Sequence, residues 1–169
     1  MTYFVVKQIA CPSPATFAQP TGWQSDRTLR EWVTPNVLEL SYTSWRLQPY
    51  AQDMGDEGPP FRWDPERRSL LRADIDAAMF HVYGLTRSEA EHVLDSFLVV
   101  RKYDERDHGE YLTRRLVLDA YDRMAAAAAR GGHGWVPLAP VPAGKGPRHI
   151  DSTSPAMTKP GVRHSAVRR

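Results

Sequence analysis

Between Pro59 and Met124 the local signals for successive helices fall in step with the hydrophobic period, and no other stretch constrains the fold as strongly. Asp64 is placed to cap a helix: its carboxylate can accept from free first-turn amides, and Pro65 at the first helical position gives up no hydrogen bond. Leu71, Ile75, Ala78, Met79 and Val82 then recur at three- and four-residue spacing. That spacing makes one apolar stripe on a helix of about 19 residues, or about 28 Å. Gly84 stops it, as the residue that takes a left-handed conformation without cost.

A second helix is predicted at once. Thr86 and Glu89 have the spacing of a capping box, with Leu85 as its hydrophobic staple, and Ala90, Val93, Leu94 and Phe97 as the buried face. The segment from Arg101 to Gly109 reads as a charged connector. A third helix runs from about Glu110 through Leu112, Leu116, Ala120 and Met124, with an alanine run carrying it to Gly131. The expected fold class is therefore mainly α with a minor β element (α+β). It comprises a small subdomain of three helices over residues 59–130, a strand-and-loop segment over 1–58, and a flexible, disordered Pro/Gly-rich tail over 131–169.

The rest of the chain carries weaker signals. Tyr3 to Ile9 reads as a short strand stopped by Pro12 and Pro14. Ser25 or Asp26 can cap a short helix through Leu29 and Trp32. Val37 to Tyr42 fits either helix or strand, and Ser44 caps a short helix to Met54 that Pro49 argues against. After Arg130 the last 39 residues hold few large apolar side chains, too few to offset the chain entropy of ordering them, although Trp135 and Val136 can dock back locally.

The 169 residues include one cysteine, Cys11, which cannot form an internal disulfide and reads as a small packing residue at a strand end. The six histidines show no paired spacing for a zinc site. No apolar run is long enough to span a membrane, and the N-terminus lacks the pattern of a secretion signal, so no membrane partner and a cytoplasmic location are expected. A net charge of +2 conceals an asymmetry. Residues 1–100 carry nine Lys/Arg against thirteen Asp/Glu, and residues 101–169 carry thirteen against seven. That late excess suits a polyanion but equally a solvated surface.

The stretches GPPFRWDPERRSLLRADIDAAMFHVYGLTRSEAEHVLDSF and VVRKYDERDHGEYLTRRLVLDAYDRM resemble the C-terminal end of large adenine-specific DNA methyltransferases of restriction-modification and phage-defence systems, the type IIG-like enzymes. YFVVKQIACPSPATF and VLELSYTSWRLQPYAQDMG extend the resemblance upstream, and RHIDST extends it more loosely into the tail. In that family long stretches precede the first strand, so Met1 is expected to begin a truncated or split gene product; a free-standing short homologue is the alternative.

The resemblance implies a non-catalytic DNA-recognition or scaffold fragment of a site-specific adenine-N6 DNA methyltransferase. Its partners would be double-stranded DNA, bound weakly, and a catalytic methyltransferase domain or chain. S-adenosylmethionine is the cofactor of the full-length family, but this chain carries neither the glycine-rich turn after a strand that approaches the cofactor nor an Asp/Asn-Pro-Pro-Tyr/Phe element for the target amino group. Gly58-Pro59-Pro60-Phe61 copies the second element with glycine in place of the acceptor, so Phe61 reads as a packing residue. Gly131 to Gly134 follows a helix, not a strand, and reads as a helix stop.

Asp74 and Asp76 point about 200° apart on their helix, which is wrong for paired carboxylates acting on one substrate, so salt links to Arg72 or another segment are expected. No catalytic, cofactor-binding or metal-ligating residue is assigned. The DNA-contact candidates are Arg101, Lys102, Arg106, Arg114 and Arg115, basic side chains near Tyr103; a self-neutralising charge run is the alternative reading. Likewise, a standalone helical interaction module or degenerate remnant without a DNA role is the alternative function.

Overall fold

The computed structural model describes residues 11–140 and 147–149. They form seven α-helices: α1 (Pro14–Phe17), α2 (Leu29–Ser41), α3 (Gln48–Asp53), α4 (Pro65–Val82), α5 (Arg87–Asp95), α6 (Leu98–His108) and α7 (Leu112–Ala129), with a 3-10 turn at Trp45–Leu47. The chain is mainly helical, as expected. Among the described residues the β structure amounts to two isolated bridges, and the strand predicted for Tyr3 to Ile9 lies outside them.

The caps predicted for α4 and α5 are in place. Asp64 Oδ1 accepts the Arg67 amide at 3.1 Å, with Pro65 in the first turn. Thr86 and Glu89 exchange both bonds of a capping box, the Thr86 amide donating to the Glu89 carboxylate at 2.8 Å. Gly84, at φ 70°, turns the chain between the two helices. On α4 the buried face is Leu71, Ala73, Asp74, Ala77 and Ala78, with Ile75 and Met79 at its margin. Leu71 of the predicted stripe lies on this face, whereas Ile75, Met79 and Val82 flank it and alanines occupy its centre. Ala120 and Ala127 of α7 are buried opposite, and such small side chains let two helix axes come close.

Three expectations change. Residues 101–108 of the predicted connector belong to α6, with Gly109 as its C-cap, so the 59–130 region has four helices rather than three. No residue of α6 is buried. Its sequence therefore shows no apolar stripe, although it contains good helix formers, an i,i+4 pair between Arg101 and Glu105, and a stop at Gly109. Phe97, expected in the core, is 49% exposed at the start of α6.

Thirdly, the ambiguous segment before Tyr42 is the end of α2, which Thr28 rather than Ser25 or Asp26 caps, in a second capping box with Glu31. Pro35 lies inside α2, and the Asn36 side-chain amide donates to the Trp32 carbonyl at 2.9 Å, supplying a donor one position from the proline. Ser44 caps the 3-10 turn, and Pro49 is harmless in the first turn of α3. Cys11 is exposed.

Two apolar clusters result. The larger gathers Trp23, Trp32, Ala77, Leu94, Val117 and Met124 from the 20s loop, α2, α4, α5 and α7. The smaller holds Leu38, Tyr42, Ala51 and Phe61, which confirms Phe61 as a packing residue. Arg67 of α4 joins them, donating to both oxygens of Glu39 on α2 at 2.5 and 3.0 Å and to the Pro140 carbonyl at 2.8 Å.

Residues beyond Arg130 dock further than Trp135 and Val136. Trp135 packs edge-on to Trp32 at 5.6 Å, Val136 is exposed, Ala139 is buried, and the Leu138 amide donates to Asp74 at 3.1 Å. Residues 147–149 pair with residues 60–62. Composition missed this docking because the apolar and charged partners come from α2, α4 and the 56–62 loop. The remainder of the predicted tail, 141–146 and 150–169, lies outside the described residues.

Candidate nucleic-acid interface

The five basic candidates occupy two helices. Arg101, Lys102 and Arg106 lie on α6, and Arg114 and Arg115 lie in the first turn of α7, where with Arg87, Tyr111 and Asp122 they line one shallow groove. The α6–α7 corner is fixed by Asp104, whose carboxylate accepts the Thr113 amide at 2.6 Å and serves a helix start that has no side-chain cap of its own. Tyr111 donates its hydroxyl to the Leu94 carbonyl at 2.8 Å and so ties the corner to α5.

Each of the four arginines already faces a carboxylate. Arg101 pairs with Glu105 at 2.7 Å, Arg106 with Asp107 at 2.6 Å, and Arg115 with Glu110 at 2.9 Å. Arg114 pairs with Glu91 and, at 3.0 Å, with Asp95, both on α5. Bonds to these carboxylates raise the Arg101, Arg106 and Arg115 pKa values and, by the same coupling, hold Asp107 and Glu110 below the ordinary carboxylate range. Lys102 has no ion-pair partner among the described residues. The local sum agrees: residues 101–129 carry six Lys/Arg and six Asp/Glu, whereas residues 130–169 carry seven and one. The late positive excess therefore belongs to the segment after α7, a distinction that a finer count of the sequence also reveals.

Next to these cations the structure presents an apolar surface that sequence reasoning missed. Phe97, Leu98, Val99 and Tyr103 are 49, 70, 66 and 53% exposed around the first turns of α6. Phe97 at the N-cap and Leu98, Val99 and Tyr103 on a helix with no buried residue leave much apolar side chain uncovered at the start of α6. The signal of this surface in the sequence is the run FLVV, of which Phe97 alone is expected in the core.

Asp74 is the second residue whose setting departs from expectation. Among the described residues it makes no salt link. Its side chain is 2% exposed and accepts from the Leu138 and Ala139 amides, and burial pushes its pKa up to about 7. Asp76, about 200° round the helix, is exposed. A cavity of about 310 Å³ between the Thr16–Trp23 segment and the C-terminal ends of α4 and α7 is lined by Gln19, Trp23, His81 and Val82. There His81 stacks on Tyr121 at 4.0 Å and donates from Nε2 to the Tyr121 carbonyl at 3.1 Å, its pKa lowered by burial. Among the described residues no cluster of three or more His, Cys, Asp or Glu is arranged to hold a metal ion, and no helix is long and apolar enough to cross a membrane. Compared with family models, with curated proteins and with solved structures, the chain matches none.

Proposed function

We propose that this chain is the C-terminal DNA-recognition and scaffold portion of a site-specific adenine-N6 DNA methyltransferase of the restriction-modification or phage-defence kind, inactive alone and completed by a catalytic methyltransferase domain or chain. The observation that carries this reading is where the resembling residues fall. Tyr42, the Gly58–Phe61 loop, Asp64, the Thr86–Glu89 box and Arg148 all sit at the joints of the fold, as expected if the ordered series is kept to build a body rather than a catalytic centre. The uncovered apolar end of α6 supports a role as a part that another part covers.

DNA contact in this reading is made mainly through phosphates. The surplus cations of residues 130–169 supply most of it, and the carboxylate-paired arginines of α6 and α7 supply less. The second reading, a helical interaction module with no DNA role, is favoured by that same pairing of Arg101, Arg106, Arg114 and Arg115.

An anisotropy titration of the full chain with duplex DNA at several salt concentrations decides between them. Weak binding that falls steeply with salt is expected. Replacing Lys159, Arg163, Arg168 and Arg169 by alanine should weaken it more than Arg114→Ala with Arg115→Ala. No binding at low salt would leave the module reading. Tritiated-methyl transfer from S-adenosylmethionine to mixed DNA by the chain alone should be undetectable, and turnover would overturn the scaffold assignment.

A further inference from the structure

Residues 56–62 form a pocket around an arginine from far along the chain. Asp56 uses one carboxylate oxygen to accept the Gly58 amide at 2.9 Å and turns the other to the Arg148 guanidinium. Arg148 Nη1 donates to the Pro59 carbonyl at 2.6 Å, and its guanidinium carbon lies 3.9 Å from the Phe61 ring centroid. Tyr42 supports the far side, its ring edge-on to Phe61 at 6.5 Å and its hydroxyl donating to the Gly58 carbonyl at 3.2 Å. At Gly58 a Cβ would stand 2.8 Å from Arg148 Nη1, so a larger residue there would require the guanidinium to shift.

On either side the backbones pair. The Arg62 amide donates to the Pro147 carbonyl at 2.8 Å and the His149 amide to the Pro60 carbonyl at 3.0 Å, making an antiparallel bridge between Phe61 and Arg148. A carboxylate, a carbonyl, an aromatic face and a vacated Cβ position together select a planar guanidinium over an ammonium. The two bridge bonds ask of the neighbouring residues only an extended backbone.

The pocket therefore reads one side chain, and the sequence offers it twice. Gly146-Pro147-Arg148-His149 is repeated as Gly161-Val162-Arg163-His164. We propose that Asp56, Gly58, Pro59 and Phe61 form a receptor for an extended segment centred on arginine, filled by Arg148 of the same chain and open to the Arg163 segment when Arg148 is withdrawn.

The test uses the full chain with a protease site inserted between residues 143 and 144, cut after folding and followed by gel filtration with mass detection. The C-terminal piece should stay with the body. A synthetic peptide of residues 145–153 should displace it, and a peptide of residues 159–167 should displace it within about tenfold of that concentration. Versions of both peptides with lysine in place of arginine should need at least tenfold more, and because they are added in trans they leave the folding of the body untouched. Immediate loss of the piece, or equal competition by arginine and lysine peptides, overturns the receptor. Competition by the first peptide alone overturns Arg163 as second occupant.

Discussion

The cluster around Trp32 and Met124 fills its space with apolar side chains from several helices, whereas the cluster around Tyr42 and Phe61 holds four buried side chains inside a frame of polar contacts. In the first, burial supplies the stability, with each enclosed large side chain contributing about 1.5–3 kcal/mol. In the second, Glu39–Arg67, Asp56–Arg148 and the backbone bonds of residues 60–62 and 147–149 set the position of a small apolar centre. The first should withstand salt; the second should not.

Trp32→Ala should have the largest effect. Removing an indole that touches both Trp23 and Trp135 should cost about 3–5 kcal/mol, read from the denaturant midpoint, with little dependence on salt. A cost below that of any single ion-pair variant would mean that the larger cluster is not the main support.

Asp74, a carboxylate inside the apolar body, qualifies the contrast. With its pKa at about 7 in the folded chain and near 3.8 when unfolded, the folded state binds the extra proton between those values. Its presence therefore favours the folded state most at low pH, and that advantage is lost as pH rises from about 4 to 7, by on the order of 2–4 kcal/mol. Asp74→Asn should remove this slope, so that the variant and parent curves diverge with pH. Parallel curves from pH 4 to 8 would place the carboxylate in a wetter site.

Arg148→Ala tests the second cluster. It strips a half-buried Asp56 of its partner and should cost about 1.5–3 kcal/mol. In the parent chain high salt should reproduce part of that loss. If neither change moves the midpoint, the second cluster stands on apolar burial alone and the contrast fails. Asp64→Ala, the loss of one helix cap, should be smallest at about 0.5–2 kcal/mol, with only its charge–dipole share screened by salt.

The candidate site was legible in kind and not in state. Arginines 101, 106, 114 and 115 stand out in the sequence, but the carboxylates that meet Arg114 lie 19 and 23 residues away on α5, and no spacing rule connects them. Arg148 stood within a stretch of resemblance, without any sign that its pocket begins 92 residues earlier.

By itself the sequence determined α4, α5 and α7, because caps, turn glycine and apolar period are properties of neighbouring residues and act before any tertiary contact forms. It also determined Phe61 as a packing residue, since glycine at position 58 removes the only side-chain acceptor the alternative needs. Only the tertiary structure decided the rest. α6 buries nothing, so it left no periodic trace, and the Asp104 bond to the Thr113 amide fixes its corner. The centre of the α4 face shifted to Ala73 and Ala77 because two helices press on it at once, and the distance between axes, not hydrophobicity alone, selects small side chains there. Residues 135–139 and 147–149 are ordered by Trp32, Asp74 and Asp56, which lie outside those segments, and a segment held by remote partners carries no local record of them.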